Sequence, residues 1–532
     1  MGRYLSVGPY VGELGWEMFS WQPRARAAAT AGLGYEKVLS YCGPGRRWLY
    51  RFAETRTLPD TPRHEPECLA WTNPQAHRAE IEALMKRAEE AAKAELGGGS
   101  LDLLNYRSLG ALNDPAYNAG RPDLLRPDPS PRPSRFWPTP AGGRKRVVLC
   151  VRDRALSDHR NWPKDDWRRL VGLLLPDHDI VIVGTSSEPI VGQPTEGVTD
   201  ATGRTTIDDL IELFSQADLA VGGSTGTMHL ASRCGCDHLV WGAENSTAFP
   251  LSARYAETNW FGASCRVITD HAWEPTPEAI HEAVKTHRWR EKGRKGRVIV
   301  TFVDCTDDQV SAASLMSNLG LRGTFAAVTN LVGTPGFPSW DTLLTMRRAG
   351  HCVCNHSASH ALLAPDGGRP TLKPVGKAGI VADAVAGREH LNRRGLDGDF
   401  YIVPFGTENL GGPDTLEKLT KLFRWVRVTN GAPLQDGQWS PAGFRRLLPL
   451  DYYGKVYGNS AVADCRWPNE VREKMDEAAL VGATCVICYH RVTSVVGRAQ
   501  DVRWVRFASD MDHLSKLVKD GKVDVVTPKE IL

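Results

Sequence analysis

The sequence predicts an α/β protein built in at least two parts, and three observations carry that expectation. Residues 141–290 alternate short apolar runs with amphipathic helical patterns, the pattern of a parallel, doubly wound sheet whose strands are buried on both faces. A second apolar run, Arg297 to Phe302, opens the C-terminal half and leads into an acidic residue, Asp304. The 532 residues exceed what one ordinary core organises, so two or three domains are expected.

Taken in order, the stretch from Val7 to Glu17 reads as a short strand followed by a Gly-rich turn. Ala79 to Leu96, rich in Ala, Glu, Lys and Arg, is predicted as a helix with a solvated face, ended by Gly97-Gly98-Gly99-Ser100. The Pro-rich tract Pro122 to Pro140 then reads as a stiff connection. Strands are predicted at Arg146 to Val151, Asp179 to Gly184, Asp218 to Gly223 and His238 to Gly242, with helices at Asp165 to Leu175 and Ile207 to Ala217. Gly222-Gly223-Ser224-Thr225-Gly226-Thr227-Met228-His229 is a small, hydroxyl-rich turn that leaves a strand and opens a helix. Backbone N–H groups at such a helix start, with the macrodipole behind them, can cradle phosphate. Taken alone, the turn better suits an ordinary connection capped by Ser224 or Thr225. Arg288 to Arg297, short, basic and glycine-punctuated, is expected as a domain linker.

Composition narrows the class. Hydrophobic residues at 42%, charged residues at 24% and a net charge of +3 are ordinary for a soluble globular protein. The mild positive charge neither demands nor excludes a nucleic-acid or acidic-sugar partner. No long apolar run suggests a membrane span, and the N-terminus lacks a secretory pattern. Twelve cysteines without a secretory signal read as reduced and buried, which points to a cytoplasmic protein. Cys352-x-Cys354 and Cys485-x-x-Cys488 lie in apolar runs and read as core packing, with thiol–zinc binding as the alternative.

The C-terminal half carries the more specific chemistry. Asn355-His356-Ser357-Ala358-Ser359-His360 follows Asp304 by about fifty residues. The i, i+4 spacing is expected to place both imidazoles on one face of a helical turn, with Asp304 as third metal ligand. Three protein ligands leave positions open for water and substrate.

From about Arg297 to the C-terminus these motifs resemble the polysaccharide deacetylase family. Thr301-Phe302-Val303-Asp304-Cys305 matches its opening strand end, and Gly323-Thr324-Phe325-Ala326-Ala327-Val328 its next landmark. Trp340, Leu343, Gly350, His351, Asn355, His356, Ser357 and His360 match its histidine run. Val403-Pro404-Phe405-Gly406 matches its Pro-aromatic-Gly loop, and Val486-Ile487-Cys488-Tyr489-His490-Arg491 its last motif. The resemblance implies a distorted (β/α) barrel over 297–532 and a divalent ion, most simply zinc, on Asp304, His356 and His360. It also implies His490 as the general acid and the Pro404-Phe405 turn at the oxyanion. Two positions depart from the pattern: Val303 stands where the family has its general base, and Ile402 where a loop arginine often precedes the proline. Asp307 and Asp308 lie just downstream, and Asp308 is the candidate substitute base. Restoring aspartate at 303 is expected to raise the rate if the geometry is kept.

Residues 1–290 resemble heptosyltransferase-type glycosyltransferases. The carrier is Ser224-Thr225-Gly226-Thr227-Met228-His229-Leu230-Ala231, which is similar to that family's D-T/S-G-x-x-H-L-A motif with Ser224 in place of Asp. Arg152 and Arg160-Asn161-Trp162-Pro163 resemble the basic segment after the first strand of the donor lobe. The resemblance implies a two-lobed GT-B fold of twin Rossmann-type lobes, with the acceptor lobe at about 1–140 and the donor lobe at about 141–290. A nucleotide-sugar would then meet Arg152, Arg160, Ser224, Thr225, Gly226, Thr227 and His229. Arg152 and Arg160 can pair with a diphosphate bidentately, or be plain surface arginines. Glu13 is the candidate base for the acceptor hydroxyl and Glu17 the reserve, with a capping role open to either.

The expectation is a bifunctional glycan-modifying enzyme that transfers a sugar and removes an N-acetyl group, acting on a nucleotide-sugar and an N-acetylated glycan. The alternatives are a carbohydrate-binding protein with an impaired deacetylase half, or an enzyme that glycosylates DNA and trims the sugar.

Overall fold

The computed structural model describes residues 2–10, 14–30, 34–43, 45–58, 78–104, 124–127, 137–155, 157–186, 188–193, 195–244, 251–259, 261–287, 289, 293–363, 374–428, 458–459, 470–494 and 502–531. Glu13, most of the Pro-rich tract and much of the basic linker lie outside them. The chain forms two compact units, Met1–Arg290 and Glu291–Leu532.

The first unit holds two parallel sheets. Strands β1 (Arg3–Val7), β2 (Lys37–Tyr41), β3 (Glu54–Arg56) and β4 (Ser100–Leu104) run in the order β3-β2-β1-β4. Strands β5 (Lys145–Val151), β6 (His178–Gly184), β7 (Val198–Asp200), β8 (Leu219–Gly223), β9 (His238–Trp241) and β10 (Cys265–Ile268) run in the order β10-β9-β8-β5-β6-β7. Val147 to Val151 and Leu219 to Gly223 are buried throughout, as strands covered on both faces must be. The edge strand β10 escapes sequence reading because its residues are only half-buried and carry no sustained apolar run. The helix Ile207–Gln216 starts at a capping box in which Thr206 and Asp209 satisfy each other's backbone N–H.

One apolar cluster runs through both sheets, from Leu5, Val7, Met18 and Trp21 to Val148, Cys150 and Val183. Polar contacts add to it. Arg233 donates to the Met18 carbonyl and to Gln22 Oε1, each at 2.7 Å, and Trp48 N donates to Asp208 Oδ1 at 3.1 Å.

The second unit is built on β11 (Gly296–Phe302), β12 (Gly323–Ala327), β13 (Cys352–Asn355), β14 (Asp397–Ile402), β15 (Trp425–Val428), β16 (Gly458–Asn459) and β17 (Thr484–Tyr489). The short β18 (Val492–Thr493) and β19 (Val502–Arg503) pair with each other, and β20 (Val523–Val525) pairs with β11. The main sheet is parallel in the order β16-β15-β14-β13-β12-β11-β17. Among the described residues no pairing joins β16 to β17. All parallel strands end on one rim, so the residues that follow β11, β13, β14 and β17 share it.

Candidate functional sites

On the rim of the second unit, Asp304 leaves β11, His356 leaves β13 and His490 leaves β17. β11 and β17 are in register at Phe302 and Tyr489, and Val303 N continues the ladder to the Tyr489 carbonyl at 3.1 Å. Asp304 and His490 therefore emerge side by side. Asp304 Oδ1 lies 3.5 Å from His356 Nε2 and 3.2 Å from His360 Nε2, and Asp304 Oδ2 lies 3.8 Å from His490 Nδ1. The donor atoms of Asp304, His356 and His360 all fall within 4.8 Å of one another.

The histidines do not share a helical turn, contrary to the expectation from spacing. Residues 356–360 form an irregular bend, with Ser357 at φ 68° and His360 at φ 59°. That bend brings the two rings to 4.9 Å between centroids. Asn355 holds it: its amide donates to the Ala384 carbonyl at 2.8 Å, and its oxygen accepts from Ser357 N at 2.8 Å. The helix Gly376–Asn392 can lie against the bend because residue 387 is glycine; a Cβ there would sit 2.7 Å from the Ser357 carbonyl carbon. Asp304, Cys305 and Phe405 also hold left-handed backbone, at φ 69°, 49° and 59°. Non-glycine residues adopt that region at a cost of about 1–3 kcal/mol each, and such residues concentrate at functional sites.

The donor set fits a divalent ion. His356 Nδ1–H donates to the Ile402 carbonyl at 2.8 Å, which fixes the tautomer and leaves Nε2 as a ligand facing Asp304. A tetrahedral ion about 2.0–2.1 Å from each ligand spaces its ligands about 3.3 Å apart, close to the 3.5 and 3.2 Å from Asp304 Oδ1 to the two histidines. Burial opposes the charge on Asp304, but the three histidines outweigh it and hold the carboxyl well below the usual range. Burial lowers the His356 pKa against the pull of Asp304, favouring the neutral imidazole a metal needs. His360 packs edge-on to Phe405 of the Pro-aromatic-Gly turn, with ring centroids 4.3 Å apart.

The two departures from the family pattern meet in space. Val303 is 4% exposed and Ile402 fully buried, and both belong to one apolar cluster with Ala326, Cys352, Cys354, Phe400 and Cys488. The position implied for a base is thus lined with hydrocarbon and thiol. Cys352, Cys354 and Cys488 serve that core, as their sequence context suggested. Asp308, the expected substitute, accepts from Val492 N at 2.7 Å through Oδ2, and its Oδ1 faces Arg491 Nε at 3.6 Å. Sequence reasoning missed Gln309, which is buried and donates through Nε2 to the carbonyls of Val303 at 2.6 Å and His490 at 2.7 Å.

In the first unit, the order of the larger sheet reverses between β5 and β8, and the loops after those two strands flank the crevice where α/β proteins take ligands. Arg160 bridges that crevice. Its guanidinium donates to the Ser224 carbonyl and lies over the Trp273 ring, 4.6 Å from the centroid. Arg152, by contrast, braces its own loop through the Ser157 carbonyl, at 3.0 Å, and Asn161 Oδ1. Ser224 is buried and its Oγ accepts from Tyr255 Oη at 3.3 Å. Thr225 is the N-cap of the helix Gly226–Arg233; its carbonyl accepts from Met228 N and His229 N, whereas the Gly226 and Thr227 N–H groups have no intrahelical acceptor by geometry.

Two residues of this turn also have partners within the protein. Gly226 is needed for a contact within the protein: a Cβ there would lie 3.2 Å from Gly15 N and 3.3 Å from Leu14 Cβ. His229 is buried and stacks on Tyr255, with centroids 4.4 Å apart. Burial lowers its pKa well below the ordinary range, which favours the neutral imidazole. Glu17, the reserve base, is buried against Arg46 Nη1 and Tyr50 Oη, each at 2.5 Å, and burial raises its pKa despite both partners. It lies within a five-residue π-helical segment, Glu17–Trp21. Glu13 lies outside the described residues.

Comparison with known proteins places both halves. The family described as glycosyltransferase family 9 (heptosyltransferase) matches residues 130–237, and the polysaccharide deacetylase family matches residues 290–385. The first match spans Arg152, Arg160 and the Ser224–His229 turn; the second spans Asp304, His356 and His360 and ends before His490. No curated protein matches the chain. Among solved structures, the ADP-heptose lipopolysaccharide heptosyltransferase II of E. coli is 14% identical, covering 54% of this chain and 98% of its own, with a TM-score of 0.33. A family 9 glycosyl transferase from Veillonella parvula is 12% identical, covering 55% and 91%, with a TM-score of 0.32. A family 4 carbohydrate esterase from Streptomyces lividans, solved with acetate, is 14% identical, covering 44% and 93%, with a TM-score of 0.26. The chain is a fusion of a family 9 glycosyltransferase domain with a polysaccharide deacetylase domain.

Proposed function

We propose that the second unit is a metal-dependent N-deacetylase of an N-acetylamino sugar, folded as a distorted (β/α) barrel. The observation that carries this reading is the meeting of Asp304, His356 and His360 donor atoms, with His490 on the other oxygen of the same carboxylate. Asp304, His356 and His360 would hold the ion, and zinc suits their mixture of carboxylate and imidazole. A divalent ion held there supplies Lewis acidity, polarising an acetamide carbonyl and lowering the pKa of water. His490, half-exposed on the rim, gives a proton to the departing amine nitrogen. The backbone of the Phe405 turn, whose ring packs on His360, would help hold the oxyanion. With hydrocarbon at Val303, the general-base contribution of about a hundred- to ten-thousandfold is reduced, and slow hydrolysis is expected. The test is acetate release from N-acetylamino sugars by metal-loaded protein and its loss in His490→Ala.

The first unit, on this reading, is a GT-B glycosyltransferase that takes a nucleotide-sugar in the crevice between the β5 and β8 loops. Arg160 and the N-terminus of the helix Gly226–Arg233 are its phosphate-facing groups. A fused transferase and deacetylase would install an N-acetylated sugar and then unmask its amine, aided by raised effective concentration. The cysteines among the described residues are nearly all buried, which suits a reducing, cytoplasmic setting. Calorimetry with a panel of nucleoside diphosphates tests the donor site: one should bind.

The apolar packing of Val303 and Ile402 favours a second reading, a carbohydrate-binding domain that retains metal without hydrolysis. Full metal content and glycan binding with no acetate release would select it.

A further inference from the structure

β11 and β17 stop pairing at the point where the chemistry begins. Beyond Phe302 and Tyr489 the two chains are joined by one backbone bond, Val303 N to the Tyr489 carbonyl, before Asp304 and Cys305 turn away in left-handed backbone. The helix Asp307–Asn318 takes over from the ladder. In its first turn Gln309 gives its Nε2 hydrogens to the Val303 and His490 carbonyls, at 2.6 and 2.7 Å. Asp308 accepts from Val492 N at 2.7 Å and faces Arg491. Successive residues of one helix thus hold the peptide unit before Asp304 and both sides of the His490 loop.

We infer that Asp308 and Gln309 are positioning residues that set His490 against Asp304, and that Asp308 is not the replacement base. The inference rests on the deacetylase reading and gives it a specific constraint. Both Asp308 oxygens face donors of the His490 segment, so its carboxylate fixes that segment. A buried primary amide suits this junction, because it is a neutral group that offers two N–H donors to two converging carbonyls, where a buried lysine or arginine would bring a charge. Replacing it by a group of equal length without N–H leaves both carbonyls buried without donors and frees His490 to drift.

The test uses the full chain, loaded with zinc, and two readouts. Amide hydrogen exchange of the segment 490–494 should quicken in Gln309→Met and Asp308→Ala but hold near wild type in Asp308→Asn, which keeps an oxygen acceptor for Val492 N–H. Acetate release should follow the same order. Gln309→Met and Asp308→Ala lose about a hundredfold in kcat, with KM and bound metal unchanged, as about an ångström of misplacement costs. Asp308→Asn loses less than about tenfold, far below the loss of a general base. If Asp308→Asn falls as far as Asp308→Ala, Asp308 is the base and the inference is overturned. Unchanged exchange in both Gln309→Met and Asp308→Ala would overturn the clamp itself. A wild-type protein that releases no acetate would sink the deacetylase reading, while the exchange measurement would still decide the clamp.

Discussion

Val303→Asp would place the family's usual carboxylate back at its position, but in surroundings that no longer receive it. Val303 is 4% exposed and its neighbours Ala326, Cys352, Cys354, Phe400, Ile402 and Cys488 offer hydrocarbon and thiol in place of a cation. A carboxyl fully buried without a partner has its pKa raised by up to about 3–5 units. Taking about 3 units for a side chain next to the rim, and 1.36 kcal/mol per unit, the folded domain loses about 4 kcal/mol at neutral pH. That is a large part of the roughly 5–15 kcal/mol that holds a domain together. The sign with pH is definite. The folded pKa lies above the unfolded value of about 3.9, so the penalty is absent below about pH 4 and grows by about 1.4 kcal/mol per unit as pH rises to about 7. Denaturant titrations of the full chain at pH 5, 6, 7 and 8 measure it, with Val303→Asn as the neutral control whose cost does not vary with pH. Acetate release should not rise at any of these pH values, contrary to what the motif alone implies. Wild-type stability at pH 8 together with faster acetate release would refute the apolar account of this position.

Other outcomes follow from the same contacts. His360→Ala should remove most of the one ion per chain expected by elemental analysis, and full retention would show that the ligand set is wrong. Gly226→Val should push against Leu14 and Gly15; it should lower the melting temperature of the first unit even without nucleotide, whereas a purely ligand-facing glycine would leave the ligand-free melt unchanged. His229, neutral through burial, should make stability fall as pH drops below about 6.5, by about 1.4 kcal/mol per unit, because the unfolded chain takes the proton first. His229→Gln should flatten that slope between pH 6.5 and 5.5 in denaturant titrations, and an equal slope in both proteins would contradict it.

The two family assignments and the parallel α/β character of both halves were legible in the sequence. Each rests on local signals: apolar runs of strand length, a small-residue turn opening a helix, and ordered histidine motifs. Asp304, His356 and His360 could be named together from their motifs. How they meet could not, because the meeting depends on a left-handed bend and on the Gly387 approach of a helix thirty residues away. The i, i+4 spacing suggested a helix for a geometrical reason that an irregular bend satisfies equally well.

What the sequence alone determined is the family each half resembles and which residue types stand at its motif positions, including the absence of a carboxylate at 303. Tertiary structure decided what surrounds those residues. It showed that Val303 and Ile402, about a hundred residues apart, fill one apolar cluster. It bound Asp308 to the His490 loop, turned Gly226 toward Leu14 and Gly15, and buried His229 against Tyr255. It also joined Gln309, for which no motif exists, to the Val303 and His490 carbonyls. The physical reason is common to all of these. A side chain's role is set by which donors, acceptors or hydrocarbon surround it, and those surroundings come from strands and helices distant in sequence that only the folded chain brings together.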